Sequence, residues 1–248
     1  MAVRVPGANT PDELWSVLDR GLDRFTPVPA DRWAHDEVRA KTGHIAKNIC
    51  STGAYLDDVF GFEPEAFEMS EASAKATEPQ QRIFLEVAAE ALSNAGVAAG
   101  SVGTFVSYGP DALRDDRSFL ADIVHPGFTT DGHLDGTTNN MVAARVCRLF
   151  NLTGPAVVIQ AACASSLVAI HQARRALQHD ECEVALAGGV ELIYSPTRYL
   201  LFAAGGVLSH SGKCTPFSTD AAGFVPGEGA AAVVLKRLDR ALADGDRI

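Results

Sequence analysis

Apolar residues recur at helical spacing in two segments of the N-terminal half. Thr10-Pro11-Asp12-Glu13 has the pattern of a capping box with proline in the first turn, and Leu14, Trp15 and Leu18 follow on one face. Each of these signals is typical of a helix start. The sequence therefore predicts a helix that begins directly after Thr10.

The same capping pattern occurs at Thr77-Glu78-Pro79-Gln80, before apolar residues that continue at helical spacing from Ile83 to Leu92. Gly96 is a suitable residue to end this second helix. Residues 28–55, between the two segments, show prolines and mixed charges without a clear period. We therefore expect a long surface loop with little structure of its own.

The second half of the chain alternates short apolar runs with segments of helical period. Runs at 102–107, 156–159, 184–187 and 230–235 predict strands, and residues 140–150, 167–177 and 238–243 predict helices. Because residues 156–159 are continuously apolar, we expect that strand to be buried on both faces. The alternation predicts an α/β fold with a largely parallel sheet.

Composition narrows the class of protein. The 248 residues are 47% hydrophobic and 21% charged, which is typical of one large globular domain or two small ones. A net charge of -10 argues against nucleic acid and anionic membrane surfaces as partners. The chain has no run of 18 apolar residues and its first 15 residues do not resemble a secretory signal, so we expect a cytoplasmic protein with no membrane span.

The cysteines make a disulfide framework or a zinc site a poor interpretation, because their number is odd and no pair has CxxC spacing. For most of them we expect a small buried hydrophobic side chain. The exception is the third of the five, which are Cys50, Cys147, Cys163, Cys182 and Cys214.

Cys163 lies where the apolar strand 156–159 gives way to a helix, and small residues on both sides allow a sharp turn. A strand, a tight turn and a helix form the nucleophile elbow, in which the reactive atom lies at the turn. Free amides and the positive end of the helix dipole favour a thiolate, and an amide can also stabilise an oxyanion. On this pattern alone a structural cysteine remains the alternative.

The segment from Gly154 to Ala169, GPAVVIQAACASSLVA, resembles the active-site segment of β-ketoacyl synthases, in which G-P-x-x-x-V-D-T-A-C-S-S-S-L is common. Other family motifs occur in the family's order along nearly the whole chain. They are Pro29-Ala30-Asp31-Arg32-Trp33, Glu78-Pro79-Gln80-Gln81-Arg82, Ala187-Gly188-Gly189-Val190 and Gly223-Phe224-Val225-Pro226-Gly227-Glu228-Gly229. The chain therefore resembles the N-terminal half of a ketosynthase domain of a type I polyketide synthase.

This resemblance implies a thiolase-like layered α/β fold, with residues 1–248 as the N-terminal part of one domain. Met1-Ala2 matches the end of the family's first strand motif, I-A-I-V-G-M-A, so we expect a fold that is incomplete at both ends. In the family that strand lies in the middle of the first sheet, and its partial loss should expose backbone and apolar surface. We expect the isolated chain not to be competent for condensation.

The resemblance also implies the chemistry. Cys163 would accept an acyl group from a phosphopantetheine thioester on an acyl carrier protein, and a malonyl-type thioester would then be decarboxylated and condensed with it. The domain itself would bind no cofactor, because phosphopantetheine arrives on the carrier. Other synthase domains of the same chain and a second copy, paired through residues 157–159, would be the further partners.

The resemblance places Phe202 in the acyl pocket, although simple core packing remains an equal interpretation. Family members use two histidines and a lysine from the second half of the domain. None of the histidines here lies in a family HGT or GH motif, and we expect His171 on a helix face and His210 in an exposed loop. The seven are His35, His44, His125, His133, His171, His179 and His210.

Four residues depart from the family pattern. Gln160 and Ala161 replace Asp-Thr before the nucleophile, and Ser218 and Ala222 replace the two aspartates of F-D-x-x-A-D-G. These changes leave carrier and substrate preference open. The alternative function is a non-catalytic ketosynthase-like partner, or an inactive fragment that needs a complementing chain.

Residues 223–229 superficially resemble a dinucleotide-binding loop. A loop of that kind opens a helix, whereas these glycines precede an apolar run that predicts a strand. We therefore interpret the segment as a tight turn that positions backbone near the thiol.

Overall fold

A computed structural model describes residues 1–42, 50–109 and 133–248 of the chain. In chain order the elements are β1 (Ala2–Arg4), α1 (Pro11–Asp19), β2 (Thr26–Pro27), α2 (His35–Thr42), β3 (Thr52–Gly53), α3 (Glu71–Ala76), α4 (Pro79–Asn94), β4 (Val102–Tyr108), α5 (His133–Thr137), α6 (Met141–Leu149), β5 (Ala156–Ile159), α7 (Ser165–Gln178), β6 (Val184–Glu191), α8 (Thr197–Ala204), β7 (Gly229–Lys236) and α9 (Leu238–Asp244). A 3-10 turn covers Glu65–Phe67.

The main sheet has the strand order β1-β7-β6-β4-β5. Strand β4 pairs in parallel with β5 and with β6, whereas β7 is antiparallel to both of its neighbours, β6 and β1. Four of the five strands therefore point in one direction and β7 points in the other. This arrangement confirms the α/β class and the mostly parallel sheet, with one reversed strand that the sequence pattern did not reveal.

Helices cover both faces of the sheet. Helix α4 packs against β7, β6 and β1, with Phe84 and Leu186 fully buried between the layers. Helix α7 packs on the opposite face against β6 and β4, through the small side chains of Ala169, Ala173 and Ala176. Because small side chains allow close approach, α7 is held near the sheet, and so is the segment that precedes it.

Both predicted N-terminal helices are present, but only one has the predicted cap. The Thr10 hydroxyl accepts from the Glu13 amide, and the Glu13 carboxylate accepts from the Thr10 amide, which completes the capping box of α1. At α4 the residue before the first turn is Glu78, without a side-chain cap. The Thr77 hydroxyl instead donates to the Ser73 carbonyl at 2.7 Å, because Thr77 ends α3, a helix that the pattern did not predict.

The prediction of a long surface loop over residues 28–55 is wrong for the part that the structure describes. Helix α2 occupies His35–Thr42, and β2 and β3 form a small antiparallel ladder. Arg32 and Tyr55 are buried. Anchoring side chains at both ends of the segment, rather than a periodic apolar face, hold it against the domain.

The positions of two strands in the sheet differ from those expected from the sequence. Strand β5 is at the edge of the sheet with β4 as its neighbour, so Ala156 and Val157 are exposed and the expected burial on both faces is wrong. Strand β1 forms the other edge rather than the middle of the sheet. Ala2 and Val3 are nevertheless buried, because α4 and β7 cover them, so these two residues do not show the apolar exposure expected there.

A buried ion pair connects three separate segments. The Arg32 guanidinium donates to both Glu228 carboxylate oxygens, at 3.2 and 3.1 Å, and neither side chain is exposed. The same carboxylate accepts from the amides of Leu56 and Ile193, at 2.8 and 2.9 Å. Glu228, the residue directly before β7, thus holds the start of that strand against the segment after β6. The positive charge of Arg32 compensates for the burial of the Glu228 carboxylate.

Arg32→Met should lower the free energy of unfolding by about 3–5 kcal/mol, because it leaves the Glu228 carboxylate buried without its cation. Urea denaturation followed by circular dichroism measures this change. Lys75→Met is the matched control: its pair with Glu71 is 3.1 Å long but 79% exposed on both sides, and its loss should cost at most about 0.5 kcal/mol. Equal effects of the two substitutions would contradict the role given to the buried pair.

Candidate active site

The turn between β5 and α7 has a strained residue at its centre. Ala162 has a φ of 50°, in the left-handed region that disfavours residues with a Cβ atom. The Ser165 hydroxyl holds this turn closed, because it donates to the Ala162 carbonyl and accepts from the Ala161 amide, both at 2.7 Å. Backbone bonds from Ala164 to Ala161 and from Ser165 to Ala162 complete the turn.

Cys163 lies at the tip of this turn and is exposed. It directly precedes Ala164, the residue at the N-cap of α7, and no side chain caps that helix start among the described residues. The Ser165 amide is used within the turn, so Ser166 and Leu167 supply the amides of the first turn of α7 that no side chain of the N-cap residue satisfies. This is the predicted elbow: strand, sharp turn and helix, with a reachable sulfur between them.

Cys163 opens onto a cavity of about 900 Å³. Its lining includes small residues of the sheet, such as Gly188, Gly189 and Ala231, and Ile170 of α7. Gly188 allows β6 to approach β7 closely, since a Cβ atom there would lie 2.3 Å from the Ala231 carbonyl oxygen. Small side chains on the sheet thus leave room for a ligand beside the thiol.

Phe202 lines the same cavity, so the structure brings the two residues singled out from the sequence to one site. Its ring also packs edge-on against Phe224, with 5.2 Å between centroids. The two interpretations of Phe202, pocket wall and core packing, are therefore compatible.

The helix that carries Phe202 is anchored by Tyr199, which is 1% exposed. The Tyr199 hydroxyl donates to the Thr52 carbonyl at 3.1 Å, which leaves Tyr55 as the donor of the 2.6 Å bond between the two tyrosine hydroxyls. Burial raises the pKa of both tyrosines above the usual range, so both remain neutral hydrogen-bonding groups. Helix α8 is thereby fixed relative to the β2–β3 ladder.

Other residues named from the sequence lie away from the cavity. His171 and His210 are exposed, as predicted, and neither lines it. His44 and His125 lie outside the described residues. Cys214 is exposed, so the prediction of a buried side chain is wrong for it; its sulfur accepts from the Val225 amide at 3.0 Å.

The four departures from the family pattern separate into two groups. Gln160 lines the cavity, and the Ala161 amide takes part in the turn before Cys163. Ser218 and Ala222 lie in an exposed loop outside the cavity lining, where the Ser218 hydroxyl accepts from the Asp220 amide at 3.2 Å. Of the four departures, Gln160 is thus the one whose side chain can change what the cavity binds.

Residues 223–229 lead into β7 and not into a helix, which agrees with the rejection of a dinucleotide loop. The predicted tight turn is confined to Gly223, whose φ is 119° and where a Cβ atom would lie 2.6 Å from Leu208 backbone. The segment then extends to Gly229, which lines the cavity.

Three features of this site were not predicted from the sequence. They are the left-handed conformation of Ala162, the hydrogen bonds by which the Ser165 hydroxyl closes the turn, and an ion pair between Glu191 and Arg198 in the cavity wall. The serine two positions after the cysteine was a usable signal, since serine hydroxyls commonly bond to nearby backbone. Within the described ranges no group of three or more His, Cys, Asp or Glu residues is placed to hold a metal ion. No helix described here combines the length and apolar character of a membrane span.

Comparisons with known proteins agree with the geometry. The family model described as "Beta-ketoacyl synthase, N-terminal domain" matches residues 1–241. The chain is 40% identical to a mycocerosic acid synthase-like polyketide synthase of Mycolicibacterium smegmatis and 38% identical to the 6-methylsalicylic acid synthase of Aspergillus niger. Both matches cover the whole chain but only 12% and 14% of those relatives.

Among solved structures, the chain is similar to the ketosynthase from module 6 of the bacillaene synthase of Bacillus subtilis 168, with a TM-score of 0.87 and 34% identity. It is also similar to an oxazolomycin ketosynthase domain of Streptomyces albus JA3453, with a TM-score of 0.85 and 36% identity. These matches cover 100% and 99% of the chain, and 41% and 43% of the two ketosynthase chains.

Iodoacetamide should label Cys163 well before Cys147 and Cys182 at about pH 7.5. Burial raises the pKa of Cys147 and Cys182, so their thiolate fractions become appreciable only above the range of an ordinary thiol, about 8.5. Timed labelling from about pH 7 to 9.5, read by peptide mass spectrometry, measures the order. In denaturant the three rates should converge, and labelling of Cys182 as early as Cys163 in the folded protein would contradict the geometry.

Proposed function

Because the chain belongs to the β-ketoacyl synthase family and matches its N-terminal domain, we propose that it is the acyl-accepting part of a ketosynthase in polyketide biosynthesis. The single observation that carries the proposal is the exposed Cys163 at a strand-turn-helix elbow, on a cavity that Phe202 also lines. The reaction is a decarboxylative Claisen condensation on an acyl carrier protein.

In the first step the Cys163 thiolate attacks the carbonyl carbon of an acyl-phosphopantetheine thioester. A new bond forms between the Cys163 sulfur and this carbon, the bond from the carbon to the carrier sulfur breaks, and the carrier thiol leaves with the proton that Cys163 gave up. The amides of Ser166 and Leu167, which have no side-chain cap at the start of α7, would stabilise the negative oxygen of the intermediate. The Cys163 thioester then stores the acyl group between the two halves of the reaction.

In the second step a malonyl-type thioester on a carrier loses carbon dioxide, and the electron pair left behind forms a carbanion. The carbanion attacks the acyl carbonyl, the new carbon–carbon bond forms, and the bond to the Cys163 sulfur breaks. The two histidines and the lysine that the family resemblance implies for this step would come from the rest of the ketosynthase domain. The described residues bring no histidine to the cavity lining, which supports the expectation that this segment alone does not condense.

One side of the cavity supports the same expectation. Of the lining residues, Ile170 of α7 is 38% exposed and Ala231 on the neighbouring sheet face is exposed as well, and Leu167, on α7 outside the lining, is 71% exposed. The chain spans 41–43% of the solved ketosynthases it resembles. We propose that the rest of the domain covers these apolar side chains and completes the site.

The proposal includes the partners and the location. Carrier proteins bring acyl and malonyl groups on phosphopantetheine, and the domain binds no cofactor of its own. The relatives are long polyketide synthases of which the chain covers 12–14%, which supports neighbouring synthase domains in the same protein. We propose a cytoplasmic enzyme, with neither nucleic acid nor membrane as a partner, on the basis of the resemblance and the net charge of -10.

Incubation of a complete domain containing this segment with an acyl-pantetheine thioester should add one acyl group to the Cys163 peptide, as measured by mass spectrometry. Cys163→Ala should abolish the adduct and lower condensation by more than about a thousandfold, since covalent catalysis loses its nucleophile. Cys214→Ala is the matched control and should leave both unchanged.

A non-catalytic partner is the alternative, and the same experiment tests it. Such a protein would give no adduct on Cys163, and Cys163→Ala would leave condensation by a complementing synthase unaltered. The exposed sulfur of Cys163 and the turn that Ser165 closes favour the enzyme over the non-catalytic partner.

We also propose a homodimer formed through the open edge of β5, where Val157 is 38% exposed. Val157→Lys should weaken the dimer at least about tenfold, because lysines from two copies would face each other across the new ladder. Light scattering over a dilution series of the complete domain measures this. Leu242→Lys, at a 66% exposed position of α9, is the control, and an unaltered dimer in Val157→Lys would refute the edge contact.

A further inference from the structure

The turn that carries Cys163 is closed by hydrogen bonds that pass from one side of the cysteine to the other. The Ala164 amide donates to the Ala161 carbonyl and the Ser165 amide donates to the Ala162 carbonyl, both at 3.1 Å. The Ser165 hydroxyl adds the two bonds of 2.7 Å, one to each of the alanines before Cys163. This hydroxyl is therefore the part of the closure that a side chain supplies and that a substitution can remove.

The orientation of Cys163 depends on this closure. Cys163 is exposed on the cavity, so the backbone beside it, rather than packing around its side chain, sets the direction of the sulfur. Ala162 has a φ of 50°, and relaxation of an alanine to its preferred conformations would change this angle by about 100° or more. Such a change would rotate the peptide that joins Ala162 to Cys163 and would redirect the bond that carries the sulfur.

We propose that Ser165 is a positioning residue for acyl transfer, which acts by holding Ala162 in its left-handed conformation. This inference rests on the proposed function. Attack on a thioester needs the sulfur at a defined distance and angle from the carbonyl carbon, and a displacement of about 1 Å can slow such a step about a hundredfold. The single proton of the Ser165 hydroxyl is donated to the Ala162 carbonyl, so this group acts on the turn and is not a proton donor to the substrate.

An alanine at position 162 couples the strain of the turn to the hydroxyl. A glycine there would populate positive and negative φ about equally, so it would need no support but would hold a less defined direction. Alanine disfavours the left-handed region about fivefold or more, and the Ser165 hydroxyl offsets this preference. Loss of the hydroxyl should therefore do less damage when the strain of Ala162 has been removed as well.

Ser165→Ala tests this inference in the complete domain, with octanoyl-pantetheine as the acyl donor. The maximal rate of Cys163 acylation should fall at least about tenfold, while the donor concentration that gives half of this rate changes less than about twofold. Labelling of Cys163 by iodoacetamide, a small reagent that can approach from several directions, should fall less than about threefold. Peptide mass spectrometry measures both reactions.

The addition of Ala162→Gly to Ser165→Ala is the rescue. It removes the strain that the hydroxyl had to offset, so the maximal acylation rate should recover at least about fivefold over Ser165→Ala alone. Ser70→Ala is the matched control, because the Ser70 hydroxyl also accepts from a backbone amide at a helix start, that of Ser73 at 3.1 Å, and lies outside the cavity lining. It should leave acylation within about twofold of the unsubstituted domain.

Three results would overturn the assignment of Ser165. Acylation of Ser165→Ala within about twofold of the unsubstituted domain would show that the hydroxyl does not position the sulfur. Equal losses of acylation and of iodoacetamide labelling, without recovery in the double variant, would indicate general damage to the site. Labelling of the buried Cys182 in Ser165→Ala as fast as in denaturant would show that the hydroxyl supports the whole fold and not the turn.

Failure of the proposed function gives a different result. If octanoyl-pantetheine does not acylate Cys163 of the unsubstituted domain, the ketosynthase activity is refuted and the positioning role falls with it. If the unsubstituted domain and Ser165→Ala are acylated equally well, the activity stands and the role of Ser165 does not.

Discussion

The site depends on one strained turn, in which Ala162 adopts a left-handed conformation so that Cys163 can project from the end of a strand. This conformation costs about 1 kcal/mol or more, and the Ser165 hydroxyl offsets it through two hydrogen bonds of 2.7 Å to the backbone on both sides of Ala162. The same serine is buried at the start of α7. The residue that stabilises the turn therefore also fixes the start of the helix that follows the thiol.

The rest of the fold holds this turn against a defined wall. The alanines of α7 keep the helix close to the sheet, and the buried pair of Arg32 and Glu228 fastens the entry to β7 beside the end of β6. The two tyrosine hydroxyls tie α8 to the β2–β3 ladder. Each wall of the cavity is thus anchored by a contact outside it, so lining residues can stay small or polar without loss of shape.

Much of this arrangement could be predicted from the sequence, because it depends on local signals. Apolar runs and helical periods identified β4 to β7 and the helices α6, α7 and α9, but not α8, and the small residues around Cys163 indicated the elbow. What failed depends on non-local pairing: the exposed edge position of β5, the reversed direction of β7 and the buried Arg32 in an irregular segment. Nothing in a short apolar run records which strands lie beside it, and one arginine in a polar segment does not reveal its distant carboxylate. The pair of Glu191 and Arg198 was missed for the same reason, since its two members come together only when α8 folds back over the end of β6.

The reversed direction of β7 has a consequence for how such a protein can diversify. Glu191 pairs with Gly229, so β7 begins at the sheet edge where the parallel strands end. An arriving segment, the start of β7 from Gly229 to Val233, therefore lines the same cavity as segments departing from the sheet. Substitutions in this arriving segment can remodel one wall while the turn that holds the sulfur keeps its own separate supports. The shape of this cavity wall and the geometry of the Cys163 turn are thus encoded in stretches of chain that can drift independently.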